Sequence, residues 1–437
     1  MSGSTVCLLN DSFPPLIDGV SNAVVNYAAE LNRSGKEAFV VTPENPEADD
    51  SRFDYQVIRY PGIDLRKSVG YVAGNPFSSE VLGILKEKNI GIFHSHCPFA
   101  STVMARSLRA VIDAPLVMTY HTKFDIDISR AVGLKMVQEG VLSALVDNIS
   151  ACDEIWAVSD GAGKNLRSIG YKGDYIVMPN GVDVPKRRLS EERTIELTAG
   201  YDIPEGVPVF LFVGRLMWYK GLKIIIDALG ALRSQDIDFR MIFVGGGGDS
   251  DEVKSYVQSR GLSGRIFFTG PIYDREELCA WYCRADLFLF PSTFDTNGLV
   301  VREAAACSLA SVLIKGSCAA EGVENRRNGF LIEESSASLA VLLARICDDR
   351  SLMRRVGKIA EDELYLSWED SVARASRRYE VVMENYARGL YGRSRHASDE
   401  LFRLSGDFLD LLAEFRNLRK SMKSAVNAVN ENMERYM

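Results

Sequence analysis

The stretch STFDTNGLVVREAAA, Ser292 to Ala306, sets two carboxylates, Asp295 and Glu303, eight positions apart with a glycine between them. Upstream, LFLFPS reads as a buried strand, Asn297 and Gly298 read as a turn, and LVVREAAA reads as the first turns of a helix. Asp295 then lies in the loop ahead of the helix and Glu303 more than a turn inside it, so the two acids do not share one helical face. The amides of Asn297, Gly298 and Leu299 stand at the helix start, where unpaired N–H groups favour an anion or the polar edge of a hydroxyl-rich ligand. The plainer alternative makes Asp295 a helix cap and Glu303 a surface acid.

Other residues offer complementary chemistry. In VFLFVGRLMWYKG a strand ends at Gly214, and Arg215 and Lys220 follow where the carboxyl end of a sheet opens; two fixed cations there suit a diphosphate. Gly245 and Gly246, in GGGGD after another strand, let backbone approach a ligand closely, although the run lacks the full GxGxxG dinucleotide pattern. His121, in TYHT, sits at a strand end. Asp125 and Asp127, in KFDIDIS, have the DxD spacing of a metal site but lie in the half of the chain without the paired cations. The expectation is no catalytic metal, with Asp125 and Asp127 facing an acceptor. The eight cysteines are scattered, and Cys279 and Cys283, one helical turn apart, have no nearby histidine to complete a zinc set; buried thiols are the reading.

Positioning these residues takes more than one domain. At 437 residues the chain exceeds the roughly 250 to 300 at which single cores stop growing. Short apolar runs alternate with helical patterns from TVCLLN to DEIWAVS, and again, after the charged segment KRRLSEERTIELTAGYDIPEG, from VPVFLFVG to ASVLIKG. Such alternation implies two parallel sheets covered on both faces, an α/β architecture of two Rossmann-like domains facing across a cleft. The expected divisions are an acceptor-side domain at 1–190, a second Rossmann-like domain at 191–365, a crossover helix at 366–388 and a helical extension at 389–437. In the extension Leu404, Phe408, Leu411, Phe415, Leu418 and Met422 repeat in a 3-4 rhythm. The 401–433 helix reads as a seam for a homo-oligomer; the alternatives are a helix folded back on its own chain and, through Arg416, Arg419, Lys420 and Lys423, contact with anionic lipid. A net charge of -8 argues against a general nucleic-acid partner. No run approaches the roughly 20 apolar residues of a membrane span, and the N-terminus has no secretory pattern. A cytoplasmic protein, peripheral at the inner face of a membrane, is expected.

The ordered set GRLMWYKG, VGGGGD, FTG, DTNGLVVRE and NGFLIE resembles the retaining family-4 glycosyltransferases of the GT-B architecture. NDSFPPLIDGVSN and PNGVDV match that family's N-terminal landmarks, SWE at Ser367 to Glu369 resembles the start of its last crossover helix, and the likeness spans residues 5–388. The resemblance implies a hexosyltransferase that uses a nucleotide-diphosphate sugar, a UDP-hexose such as UDP-glucose, and a hydroxyl acceptor, lipid-linked or a cell-envelope glycan. Neither a cofactor nor a catalytic metal is implied. By the same resemblance Arg215 and Lys220 neutralise the diphosphate, Glu303 binds the ribose, and Asp295 with the Asn297, Gly298 and Leu299 amides holds the sugar. Gly214, Gly245 and Gly246 line the donor, Gly19 leaves room for its phosphates, and His121 sits near the reacting sugar face. Two positions depart from the pattern: Asp295 replaces the usual glutamate, and Val20 replaces a second glycine beside Gly19. The first departure leaves a second reading open, a catalytically quiet sugar-nucleotide sensor or scaffold that works through its C-terminal helix. An oxidoreductase is a weaker rival, because neither strand-to-helix junction carries the complete dinucleotide pattern.

Overall fold

A computed structural model of the chain describes residues 5–16, 18–64, 72–125, 128, 135–392 and 399. Asp127 and the 401–433 heptad lie outside them. By compactness the chain forms two units: the described residues up to Ala157, Asn165–Ile176 and those from Ala373 on make the first, and Val158–Lys164 with Val177–Val372 make the second.

The first unit holds strands β1 (Thr5–Leu9), β2 (Ala38–Pro43), β3 (Val57–Tyr60), β6 (Ile90–Ser95), β7 (Leu116–Tyr120), β8 (Glu154–Ala157) and the start of β9 (Ile176–Val177), whose Val177 counts with the second unit, and a separate antiparallel pair, β4 (Gly62–Asp64) and β5 (Val72–Gly74). The large sheet runs β3-β2-β1-β6-β7-β8-β9, so the order reverses between β1 and β6. Strands β1, β2 and β7 are buried at every residue, which is why TVCLL, AFVVTP and LVMTY read as near-continuous apolar runs rather than alternating ones. Helix α1 (Gly19–Arg33) follows β1 and is started by Asp18, whose carboxylate accepts from the Val20 and Ser21 amides in a capping box. Helix α2 (Ala100–Ile112) follows β6, and α3 (Asp160–Ser168) follows β8.

The second unit repeats the plan. Its strands β10 (Val209–Val213), β11 (Arg240–Val244), β12 (Ile266–Gly270), β13 (Leu287–Phe290), β14 (Ser311–Ile314) and β15 (Phe330–Ile332) are ordered β12-β11-β10-β13-β14-β15, every neighbouring pair parallel. Helices α4 (Leu222–Arg233), α5 (Arg275–Arg284) and α6 (Leu299–Ala306) cover it. In α4 the positions Leu222, Ile225, Ile226, Leu229 and Leu232 are buried, the 3-4 spacing of one helical face turned to a core that includes Phe210, Phe212, Ile242 and Phe288.

Helix α7 (Trp368–Ala387) begins with the second unit, and from Ala373 its residues belong to the first. There Tyr379 stacks on Trp156 at 5.3 Å and its hydroxyl meets His94 Nδ1 at 2.6 Å, while Arg378 pairs with Glu154. The late chain is thus part of the first core. Asp399 extends this: its carboxylate, 2% exposed, accepts from Arg106 Nε at 2.8 Å and from Arg109, which also pairs with Asp153 at 3.0 Å. Losing one member of a buried ion network strands the others without compensation. Asp399→Ala is expected to destabilise the first unit by about 3 kcal/mol, or roughly 6–12 °C in its melting temperature; calorimetry checks this, and an unshifted melt would contradict it.

Candidate functional site

In an open parallel sheet, ligands bind beyond the carboxyl ends of the strands where strand order reverses. In the second unit that point lies between β10 and β13, and the loops leaving these two strands carry the residues singled out in the sequence. After β10 the chain passes Gly214 and Arg215 into a single helical turn, Trp218–Lys220. After β13 it passes Ser292 and Asp295 to Gly298 and α6. The two loops meet in an ion pair: Lys220 Nζ donates to both Asp295 oxygens, at 2.7 and 2.8 Å. Ser292 Oγ donates to Asp295 Oδ2 at 2.6 Å. Lys220 is only 8% exposed, and its ammonium lies 5.7 to 5.9 Å from the ring centres of Tyr219, Phe290 and Phe294. The lysine is held on a carboxylate and surrounded by aromatic faces rather than extended into water. Arg215, by contrast, is exposed and makes no ion pair among the described residues.

The loops also touch through backbone. A Cβ at Gly245, whose φ is +131°, would lie 2.0 Å from the Gly214 carbonyl oxygen, so the turns after β10 and β11 close on each other only as glycine. Gly298 is the second such position: it starts α6 at φ +59°, and a Cβ would come within 2.9 Å of Ala319 Cα. No side chain caps α6, which leaves its first amides for another acceptor. The Asn297 side chain, oriented to satisfy its neighbours, donates to the Val158 carbonyl at 3.1 Å and accepts from the Asn180 amide at 3.2 Å. It anchors the turn, and Leu299 opens the helix. Gly246 has more room, its nearest neighbour being Pro271 at 3.5 Å. Glu303, half-buried on α6, accepts from the Tyr282 hydroxyl of α5 at 2.8 Å, and burial raises its pKa above the usual carboxylate value. The structure therefore joins Lys220 to Asp295 directly and sets Glu303 on the same helix–loop segment but with a different partner.

In the first unit His121 follows β7, 6% exposed, with Nε2 2.9 Å from His96 Nδ1. The His96 and His94 rings are tilted by 37° with centres 4.0 Å apart, and His94 Nε2 meets Thr119 Oγ1 at 2.7 Å. Asp125 accepts from Asn165 Nδ2 at 3.2 Å, and Asn165 accepts from Tyr120. Gly19 is the first residue of α1, and a Cβ there would meet no atom within 4 Å. Three partners escaped the sequence reading: Ser292, His96 and Tyr282. The spacing of Ser292 three before Asp295 and the HSH pattern at His94 to His96 were visible signals; the Tyr282 contact, made across two helices, had none.

The family model described as glycosyl transferases group 1 matches residues 194–363, and that of glycosyltransferase family 4 matches residues 17–186. An alpha-monoglucosyldiacylglycerol synthase of Streptococcus pneumoniae is 22% identical over 304 residues, 68% of each chain. A GDP-mannose-dependent alpha-mannosyltransferase of Corynebacterium glutamicum is 26% identical over 335 residues, 75% of this chain and 76% of that one. The Anabaena protein HepE, solved in complex with UDP and glucose, superposes with a TM-score of 0.63 at 21% identity, over 89% of this chain and 99% of that one.

The buried histidines make acid a destabilising condition. Burial pulls the pKa of His121 down to about 3 and those of His94 and His96 well below their ordinary value of 6.5. The unfolded chain binds protons near pH 6.5 and the folded chain resists them, so this contribution is complete above that value and is lost as pH falls toward the folded pKa. Each histidine kept neutral costs about 2 kcal/mol at pH 5 relative to pH 7. The first unit is expected to melt at progressively lower temperature from pH 7 to pH 5, with a shallower slope in His96→Gln. A slope unchanged by that substitution would contradict the assignment.

Proposed function

We propose that this chain, which belongs to the glycosyl transferases group 1 family and is a GT-B glycosyltransferase, moves a hexose from a UDP-sugar to a lipid-linked hydroxyl acceptor with retention of anomeric configuration. The observation that carries the reading is the Lys220–Asp295 pair, set where the strand order of the second sheet reverses and beside the uncapped start of α6. The UDP-hexose is supported by the ligands named for HepE, and the lipid acceptor by the diacylglycerol in the name of the Streptococcus pneumoniae relative. No described helix is long and apolar enough to cross a membrane, so a lipid acceptor would be met from the side of the bilayer.

The chemistry follows from charge. Breaking the bond between the anomeric carbon and the diphosphate oxygen leaves negative charge on the phosphate and positive character on the sugar ring. Arg215 is free to approach the diphosphate, and Lys220 needs only to share its protons between Asp295 and a phosphate oxygen. The α6 amides add fixed dipoles, and prepositioned groups of this kind stabilise developing charge without reorganising. Asp295, already aligned by Ser292, accepts from the sugar hydroxyls as Lys220 turns to the phosphate. Glu303, its carboxyl pKa raised by burial, pairs with the ribose hydroxyls. The departing phosphate takes the acceptor's proton on the same face of the sugar, which yields retention. The reading needs no cofactor.

The test is transfer itself. Purified protein is incubated with UDP-glucose, UDP-galactose and GDP-mannose and with diacylglycerol vesicles, the products identified by mass spectrometry and their anomeric configuration by NMR. UDP-hexose-dependent glycolipid of retained configuration is expected, with Lys220→Ala lowering the rate about 10²–10³-fold, the scale of losing one charge-stabilising group. Ser292→Ala should cost less, about tenfold, because it only orients Asp295. Exclusive use of GDP-mannose would overturn the donor, an inverted product the stereochemistry, and undiminished transfer by Lys220→Ala the site.

A further inference from the structure

A second cluster of reactive side chains lies in the same unit, apart from the Lys220–Asp295 pair. Cys279 and Cys283 lie one turn apart on α5, and Cys307, the C-cap residue that follows α6, completes a trio with them. Their three Sγ atoms all lie within 4.8 Å of one another, and Cys279 Sγ is 3.5 Å from Cys307 Sγ. The three side chains are buried, at 4%, 6% and 0% exposure. Sequence spacing shows the first two; only the packing of α5 against the end of α6 supplies the third.

We propose that Cys279, Cys283 and Cys307 are the three protein ligands of a site for a thiophilic d10 metal ion, zinc(II) by charge. Three arguments support it. A zinc–thiolate bond of about 2.3 Å places sulfurs about 3.8 Å apart in a tetrahedral set and about 4.0 Å apart in a trigonal one, inside the observed spread. The surroundings favour charge on sulfur: the Leu189 amide donates to Cys283 Sγ at 3.4 Å, and the Arg188 guanidinium donates to the carbonyls of Cys307 at 2.6 Å and Cys283 at 2.5 Å. Three thiolates with one divalent ion leave a single negative charge beside the exposed Arg188 side chain, whereas a monovalent ion would leave two on the same buried sulfurs, a costlier arrangement. Among the described residues no fourth histidine, cysteine or carboxylate joins the group, so the fourth position belongs to an exogenous ligand or the ion is three-coordinate. Soft thiolate donors without oxygen ligands exclude magnesium and calcium.

Coordination would have a structural consequence. It would fasten the segment at Arg188 and Leu189, α5 and the end of α6 together, and Glu303 lies one turn before Cys307 on α6 while its partner Tyr282 is on α5. The ion would hold that pair in place without touching substrate. Each thiol surrenders its proton to solvent on binding, so affinity should rise with pH.

The proposal does not depend on the transferase reading and is tested without it. The full chain is reduced, stripped with a chelator and titrated with zinc against a chromophoric competitor, then with cadmium to read thiolate-to-metal charge transfer in the ultraviolet. One ion per chain is expected, with a cadmium band. Cys283→Ser and Cys307→Ser should weaken binding at least about 100-fold, because losing even an outer partner of a metal ligand costs roughly 10–100-fold, while Cys347→Ser, outside the trio, binds as wild type. Because serine at a buried position can impair folding, the wild-type chain is also alkylated with and without zinc and its sites are mapped by mass spectrometry. Protection confined to Cys279, Cys283 and Cys307 supports the site. Equal alkylation of the trio in both conditions, or protection that maps to the other five cysteines, overturns it.

Discussion

The site depends on a lysine that is not free. Lys220 is nearly buried and both its short hydrogen bonds go to one carboxylate, so the cation best placed at the end of β10 is neutralised by an acid at the end of β13. An ion pair in this setting gives little net stability, because desolvation offsets most of its attraction, yet removing either partner is costly. The pair therefore acts as a constraint on geometry: it pins the two loops together at the reversal of strand order. It also stores a charge that a more negative ligand can redirect. A diphosphate carries more charge than a carboxylate, and a lysine with three donors can serve both without leaving its place.

The fold exists to bring those loops together. Parallel strands buried on both faces put all their carboxyl ends on one edge, and the order β12-β11-β10-β13-β14-β15 makes the connections from β10 and β13 diverge there. The close approach of Gly245 to the Gly214 carbonyl then draws the β11 turn onto the same edge. The first unit uses the same plan for another purpose: its edge gathers His96 and His121, kept neutral by burial, and its core is completed by Tyr379 and Asp399 from the far end of the chain.

Much of this was legible in the sequence because buried parallel strands announce themselves as unbroken apolar runs. VFLFV, RMIFV and LFLF read as strands at once, and the residues following them, Arg215, Gly245 and Asp295, could be placed at strand ends by counting. The antiparallel pair β4 and β5 and the three-residue β15 are too short to show a period. The partner of Glu303 was also hidden: a glutamate inside a helix can face solvent or a neighbour, and only the position of Tyr282 decides. Cys307 illustrates the same limit, since a contact between the middle of one helix and the residue that caps another leaves no spacing to read. The heptad at 401–433 was legible as a pattern, and its structure lies outside the described residues.

The most direct measurement is calorimetric titration of UDP, without any sugar, against the wild-type chain, Lys220→Met and Asp295→Asn. If the lysine is a diphosphate cation held in reserve by the acid, Lys220→Met loses affinity by about tenfold or more, and Asp295→Asn binds UDP at least as tightly as wild type because the competing carboxylate is gone. Wild-type affinity in Lys220→Met, or equal losses in both variants, would contradict it.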